Sequence, residues 1–459
     1  MTDDALAVVT PASAPQIGAH WIGARWVTAT QRTMLFLLIT ASAALVGLLR
    51  IPAITRGTLW AEDGQVFIAG AANSTTLLDL FAPYDGYVHV VPRSIAAVVV
   101  WAVPVDDWAV AVTVASCLVV GLVTALVFVL SRTVVAWLPA RVVIAAITVL
   151  VPTALFEVAG NTANLHWYFL WLAPWLLLYR PTSRWAAWLL GVVGLIAALS
   201  EIQMALFLPL ILWKFRDGIR WPIRVGIILG VIAQGITTLL FPRAQHGVVS
   251  PLPDVMTSGY LVNSVLPLFL ESGQAVGSFI AQFGWLTASL LVLPFVAACI
   301  VIAMKGSTSD RVLGAALLGG SLVTFSAGYV LNPNPTFTIA ADAVDDLHAI
   351  ILLRYGVTSS MLLLALLPAA AMVLWRGARG SRTAAIVAIS LAALVLLAHF
   401  APAATTRATG PEWSDSIRSG AIACEADATA QIVRIPIAPA DGWAVVLSCD
   451  DVEPSGQDR

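Results

Sequence analysis

Residues 108–130 of the chain read WAVAVTVASCLVVGLVTALVFVL, without a single charged side chain. A helix needs about 20 apolar residues to cross the hydrocarbon core of a bilayer, and this run is long enough. Similar runs recur along the 459 residues, of which 59% are hydrophobic and 11% charged, whereas about a quarter of a soluble chain is charged. The sequence therefore predicts an all-α polytopic protein of the lipid bilayer and excludes a soluble globular enzyme.

The apolar runs predict about eleven transmembrane helices within a helical domain at residues 33–400. The runs lie at 33–49, 108–130, 142–156, 165–179, 185–199, 202–213, 223–241, 279–303, 312–331, 356–374 and 383–400. The pair at 185–199 and 202–213 is short for two crossings of about 20 residues each. A single helix over residues 185–213 remains the alternative interpretation of that region.

The basic residues predict the orientation of the chain. If residues 1–32 form a cytoplasmic tail, every inner loop contains Arg or Lys, as the positive-inside rule requires. We therefore expect a multi-pass plasma-membrane protein whose first outer loop, residues 50–107, and C-terminal segment, residues 401–459, are extracytoplasmic. The net charge of -2, with no basic cluster interleaved with aromatic residues, excludes a nucleic-acid partner.

The C-terminal segment contains Cys424 and Cys449, in a region where this orientation permits disulfides. We predict that they form a bridge, because two Cys without a nearby His are too few ligands for a metal site. Residues 431–437 and 443–448 alternate like short strands on either side of a Pro-Ala-Asp-Gly turn. The sequence thus predicts a small disulfide-linked β unit.

The first outer loop contains the motifs WAEDG, residues 60–64, and PYDGYVHVVPR, residues 83–93. Asp63 or Glu62, held near the membrane by flanking aromatic residues, is a candidate general base, and Arg93 or Arg354 is a candidate partner for a departing phosphate. An isolated Glu-Asp pair is also typical of a solvated acidic turn, which is the alternative interpretation. The apolar stretch 88–104 predicts a helix that lies along the outer surface.

Further polar and aromatic residues are predicted to reach the same face at the helix ends. Polar groups next to lipid are costly unless they line a wet cavity, so their convergence indicates a site. Ordinary roles stay open as well: an aromatic belt for the His166 and Trp167 pair, a helix cap for Glu201, and an interfacial anchor for Arg354. The candidate substrate-binding residues are Tyr84, Asp85, His89, Arg93, Asn161, Asn164, His166, Trp167, Glu201, Arg354 and Tyr355.

In plan, the chain resembles the GT-C superfamily of integral membrane glycosyltransferases. The resemblance lies in the long first outer loop with the acidic pair Glu62-Asp63, the surface helix after it, about ten further helices and an outer C-terminal segment. It implies an inverting transfer of a sugar from a polyprenyl-phosphate donor. By the same resemblance Asp63 matches the catalytic acid best, Glu62 is the adjacent alternative, and Arg354 matches the residue that holds the lipid phosphate.

The resulting hypothesis is a glycosyltransferase that moves a sugar from a polyprenyl-phosphate donor to an envelope glycan or glycoconjugate acceptor. A divalent cation beside Glu62 and Asp63 stays open as a cofactor, and no metal ligands are assigned. Two alternatives from other classes remain. A carrier or flippase for lipid-linked sugars would use the same wet cavity, and a non-catalytic envelope assembly protein would tolerate the loss of Asp63.

Overall fold

The computed structural model of the protein describes residues 29–74, 76–243, 253–270, 272–332, 354–401, 405–427, 429–440 and 442–452. Apart from residues 29–32, the predicted cytoplasmic tail lies outside the described residues. The α-helices are α1 Ala29–Arg50, α2 Ala53–Arg56, α3 Ala69–Ala72, α4 Val90–Ala102, α5 Trp108–Leu130, α6 Leu138–Leu150, α7 His166–Leu178, α8 Arg184–Ala198, α9 Trp221–Leu240, α10 Pro253–Tyr260, α11 Gly273–Leu290, α12 Leu293–Lys305, α13 Thr308–Leu331, α14 Gly356–Leu364, α15 Leu366–Trp375, α16 Arg379–Ala398, α17 Trp413–Ala426 and α18 Cys449–Val452.

Tighter and wider helical turns connect these helices. Two π-helical segments cover Asp63–Ile68 and Leu261–Val265. The 3₁₀ segments are Leu77–Phe81, Val105–Asp107, Ser131–Thr133, Pro152–Ala154, Ala163–Leu165, Ile202–Leu212, Gly218–Arg220 and Leu266–Leu268. The strands are β1 Pro83–Tyr84, β2 Tyr87–Val88, β3 Ile432–Pro436 and β4 Ala444–Ser448, paired as two antiparallel hairpins.

Within the described residues, seven helical segments are long and apolar enough to cross a membrane. They are Ala29–Arg50, Val105–Thr133, Gly218–Leu240, Gly273–Lys305, Thr308–Leu331, Gly356–Trp375 and Arg379–Ala398. Each coincides with a predicted span, so the structure supports a polytopic helical membrane protein. Their outward faces carry exposed Leu, Ile and Val, as helices in contact with lipid do.

The predicted count of about eleven spans is not confirmed, because the other four runs form shorter helices. The runs at 142–156, 165–179 and 185–199 form α6, α7 and α8, of 13, 13 and 15 residues. The run at 202–213 forms an 11-residue 3₁₀ helix that begins after the break at Ser200-Glu201. All four are below the length of about 20 residues that a spanning α-helix needs.

Helix α7 lies at the centre of the main apolar core. Every residue of α7 after His166 is buried, and a helix that is apolar on all sides belongs in an interior. The indole of Trp171 donates to the Thr148 hydroxyl at 2.9 Å, which satisfies its one polar group. Because α7 starts at His166, this buried helix fixes the position of the residues just before it.

The C-terminal segment packs against the start of the first predicted outer loop. Strands β3 and β4 pair in antiparallel register, and Cys424 is bonded to Cys449, so the predicted β unit and disulfide are both present. Ala61 N donates to Ala438 O at 2.6 Å, and Trp413 N donates to Gly57 O at 2.9 Å. These bonds hold the segment that carries Glu62 and Asp63.

Candidate functional site

A cavity of about 220 Å³ lies where the first predicted outer loop meets one end of the helix bundle. The chain brings its lining together from the start of α7, the turn after α8, the last turns of α9 and α13, and the residues before α14. The lining residues are Glu62, Phe67, Tyr84, Asp85, Gly86, Tyr87, His89, Ala163, Asn164, His166, Trp167, Glu201, Ile202, Gln203, Thr238, Arg243, Leu331, Asn332, Arg354 and Tyr355.

One wall of the cavity places Arg354 between two carboxylates. Its Nη1 donates to Glu157 Oε1 at 3.0 Å and lies 3.7 Å from Glu62 Oε1. Burial by itself lowers the pKa of this guanidinium, but Glu157, Tyr355 and Glu62 together raise it above its ordinary value. Burial also raises the pKa of Glu157, although Arg354 opposes that shift. Arg354 is therefore a permanent cation at the cavity wall.

The two carboxylate oxygens of Glu62 have different surroundings. Its Oε1 lies near Arg354, whereas its Oε2 is buried and has no hydrogen-bond partner among the described residues. A buried acceptor without a donor is costly, and a hydroxyl placed in the cavity would satisfy it. Glu62 thus contributes a lining carboxylate with one acceptor oxygen that no described residue uses.

A His–carboxylate pair forms a second polar feature of the cavity. His166 Nδ1 forms a hydrogen bond with the Glu201 carboxylate. Glu201 is buried and also accepts from Gln203 N at 2.6 Å, so its position is fixed from two sides. The imidazole lies against the Trp167 ring, with the ring centroids 4.3 Å apart and the ring planes tilted by 41°. The structure therefore brings these three predicted residues to the cavity, with Glu201 orienting His166.

Aromatic rings form the wall that leads from the first predicted outer loop into the cavity. His89 lies 4.0 Å from Tyr87, 5.8 Å from Tyr84 and 5.5 Å from Phe67, measured between ring centroids. Burial, with a smaller contribution from His166, lowers the pKa of His89 to about 3, so its ring is neutral at neutral pH. Its Nδ1 is buried without a partner in the described part of the chain. The aromatic faces of this wall suit the C–H groups of a ligand, and the unpaired Nδ1 of His89 suits an O–H group.

The opposite wall is held by an ion pair between Asp85 and Arg243, 2.5 Å apart. Arg243 also donates to Leu331 O at 3.0 Å and to Asn332 Oδ1 at 2.7 Å, which connects the hairpin to the end of α13. Asp85 and Gly86 have φ values of 49° and 86°, so the tight β1–β2 turn favours a glycine at its second position. Sequence reasoning missed Arg243, although a single Arg directly after an apolar helix was a usable signal.

Three predicted site residues do not line this cavity. Asp63 is 1% exposed and accepts hydrogen bonds from Thr162 Oγ1 at 2.5 Å, Ala163 N at 2.7 Å and Thr162 N at 3.1 Å. Burial raises its pKa to about 6, although those bonds and the charge of Arg407 lower it. Asn161 is fully buried, with its Oδ1 accepting from Asn164 N, and Arg93 lines a separate cavity.

Asp63 lies outside the cavity lining, among hydrogen bonds that connect two loops. It ties the first predicted outer loop to residues 162 and 163, immediately before the lining residues Asn164 and His166. Arg407, itself buried, donates to Ala159 O at 2.7 Å and to Gly160 O at 3.1 Å, and so holds the same loop from the other side. Asp63 therefore positions the site, and Glu62 is the acid of the pair that faces the cavity.

Gln234, a polar residue inside the apolar helix α9, was also not predicted as a site residue from the sequence. Its side chain is buried, its Oε1 accepts from Val88 N at 2.8 Å, and its Nε2 donates to Val88 O at 2.9 Å. The signal was present, because a polar amide inside a membrane helix usually has a specific partner. Gln234 sets the position of the strand that carries Tyr87 and precedes His89.

Among the residues that the structure describes, no three His, Cys, Asp or Glu side chains are grouped closely enough to hold a metal ion. The cavity combines acids, fixed cations and aromatic faces at one end of the helix bundle.

Comparison of the chain with protein-family models, with curated proteins and with solved structures gave no match.

Proposed function

We propose that the protein is a membrane glycosyltransferase that moves a sugar from a polyprenyl-phosphate donor to an envelope glycan or glycoconjugate acceptor. The observation that carries the proposal is the juxtaposition of Glu62 with the fixed cation Arg354 in an aromatic cavity at one end of the helix bundle. One carboxylate oxygen of Glu62 has no hydrogen-bond partner among the described residues. This is also the activity that the resemblance to GT-C enzymes implies.

The proposed reaction assigns the proton and the leaving group to different residues. Glu62 takes the proton of the acceptor hydroxyl as its oxygen attacks the anomeric carbon. The bond between that carbon and the phosphate oxygen breaks, and the polyprenyl phosphate leaves with the electron pair. Attack from the side opposite the phosphate inverts the anomeric carbon. Arg354 and Arg243 line the cavity and stabilise the negative charge of the leaving phosphate.

The neighbouring groups fit supporting roles in this proposal. The rings of Tyr84 and Tyr87 offer faces on which a sugar ring can stack. The His166–Glu201 pair supplies a hydrogen-bonding group whose orientation is fixed by a buried carboxylate. In this proposal a lipid-linked donor reaches the cavity from the bilayer, along the apolar helices beside it.

The test is sugar transfer by the purified protein in nanodiscs, with a panel of radiolabelled polyprenyl-phosphate sugars and with either EDTA or Mg²⁺ present. Wild type should turn over at least one donor, and Glu62→Gln should lower kcat by about 10² to 10⁴, the usual contribution of a general base. Glu425→Gln, an exposed acid on α17, is the matched control and should keep wild-type turnover.

Asp63→Asn, measured beside Glu62→Gln, separates the base from the positioning residue. Because Asp63 does not line the cavity, we expect Asp63→Asn to lower turnover less than Glu62→Gln does. Full activity in Glu62→Gln together with collapse in Asp63→Asn would make the base assignment wrong. Donor binding without turnover in wild type, with every acceptor tried, would instead favour a carrier of lipid-linked sugars.

A further inference from the structure

A second cavity, of about 410 Å³, lies on the other side of Phe67 from the candidate site. Its walls are the surface helix α4 and the 3₁₀ helix Leu77–Phe81. Phe67 lines both cavities and separates the aromatic wall around His89 from this second space. The reaction proposed above makes no use of it.

The rim of the second cavity is apolar and exposed. Trp101 is 86% exposed and Leu77 is 83% exposed, and Leu78 and Phe81 are exposed beside them. Helix α4 buries Pro92, Ala96 and Val99 on one face, and its opposite face carries the exposed Trp101. Trp side chains in this position are typical of the headgroup level of a bilayer. The rim thus offers a surface for an acyl chain.

Arg93 supplies the positive charge of this cavity. Its guanidinium carbon lies 5.6 Å from the centre of the Phe67 ring, and its Nε is buried with no hydrogen-bond partner among the described residues. Asp79 lies in the same lining, and its carboxylate accepts from Ser74 Oγ at 2.8 Å. A guanidinium N–H that is buried without an acceptor is costly, and an oxyanion is the acceptor that matches it best.

We propose that this cavity binds a membrane phospholipid, with the headgroup phosphate on Arg93 and an acyl chain along Leu77 and Trp101. The combination of one cation with an exposed apolar rim fits a phosphate that carries a hydrocarbon chain. The carboxylate of Asp79 in the same lining disfavours a second phosphate group, so a lipid with a single phosphodiester fits the cavity. The site is separate from the sugar-transfer cavity and does not depend on the function proposed for it.

The experiment measures phospholipid that the protein retains after extraction from nanodiscs made of phosphatidylethanolamine and phosphatidylglycerol, by native mass spectrometry. Wild type should retain one phospholipid per chain through repeated detergent washes. Arg93→Gln should lower the retained fraction about tenfold, and Arg93→Lys should lie between the two because it keeps the charge without the guanidinium fork. Arg418→Gln, on an exposed Arg of α17 paired with Asp415, is the control and should match wild type.

Trp101→Ala provides an independent arm, because Trp101 is exposed and its removal leaves the core intact. It should also lower retention, and thermal unfolding in detergent shows whether each variant is folded. Equal retention by wild type, Arg93→Gln and Trp101→Ala would overturn the proposal. Displacement of the lipid by inorganic phosphate alone would also overturn it, since the acyl chain would then contribute nothing. None of these measurements requires sugar transfer.

Discussion

Gln234 should hold the edge of the candidate site through three side-chain hydrogen bonds. Its amide bonds both the N–H and the C=O of Val88 and also donates to Ala198 O at 3.1 Å. Pro83, which pairs with Val88 across the hairpin, has no N–H to offer that carbonyl. Gln234→Leu removes all three bonds with little change in volume.

The expected magnitude follows from the number of bonds. Each contributes about 1 kcal/mol net, so the variant should lose about 3 kcal/mol of unfolding free energy. The two bonds to Val88 account for about 2 kcal/mol of local stability, which corresponds to about a 30-fold larger opening equilibrium of this segment. Since Tyr87 and His89 flank Val88, this part of the cavity wall should lose order with it.

Hydrogen–deuterium exchange followed by mass spectrometry in detergent micelles is the assay. Peptides that cover residues 83–95 should exchange about 30-fold faster in Gln234→Leu than in wild type, with little change in peptides from α13. Thr237→Val is the matched control, because the Thr237 hydroxyl bonds to Ala233 O within the same helix. Unchanged exchange near Val88, or acceleration of equal size along the whole chain, would refute the positioning role.

Two further predictions concern helix packing and pH. A Cβ on Gly226 would overlap the carbonyl oxygen of Gly191, so Gly226→Ala should force α8 and α9 apart and lower the unfolding free energy by about 1–3 kcal/mol in thermal unfolding. Gly235→Ala, on the same helix with nothing within 4 Å, should cause no loss; equal losses would contradict the packing explanation. The pKa of His89 falls from 6.5 to about 3 on folding. The unfolded chain therefore binds a proton below pH 6.5 that the folded chain rejects, and the contribution of His89 to stability should fall as pH drops from 6.5 towards 3. His89→Gln should flatten that part of the unfolding-temperature profile, and an identical profile would contradict the shift.

The features predicted correctly from the sequence depend on local patterns. Long apolar runs identify the seven segments that can span a membrane, because length and hydropathy alone set that ability. The disulfide and the two C-terminal strands follow from two Cys in a polar segment and from alternation with period two. The four shorter runs have a similar composition, but they form helices of 11 to 15 residues, and hydropathy did not predict that shorter length.

Composition and loop position also predicted most of the residues that meet in the cavity. Glu62, His89, His166, Glu201 and Arg354 all line it. Each lies at a helix end or in the first predicted outer loop, where a polar side chain beside a membrane helix usually faces water or another polar group. Their types and positions along the chain were enough to group them at one end of the bundle.

The tertiary structure alone decided which acid of the adjacent pair faces the cavity. Glu62 and Asp63 enter a helical segment where successive side chains point in different directions, so one meets Arg354 and the other meets Thr162. It also decided the partners of Arg243 and Gln234, since Val88 lies 146 residues from Gln234 along the chain. The sequence by itself determined which segments are apolar and which polar residues lie near their ends. The rotation of each segment and its contacts with distant residues depend on packing, which local patterns do not specify.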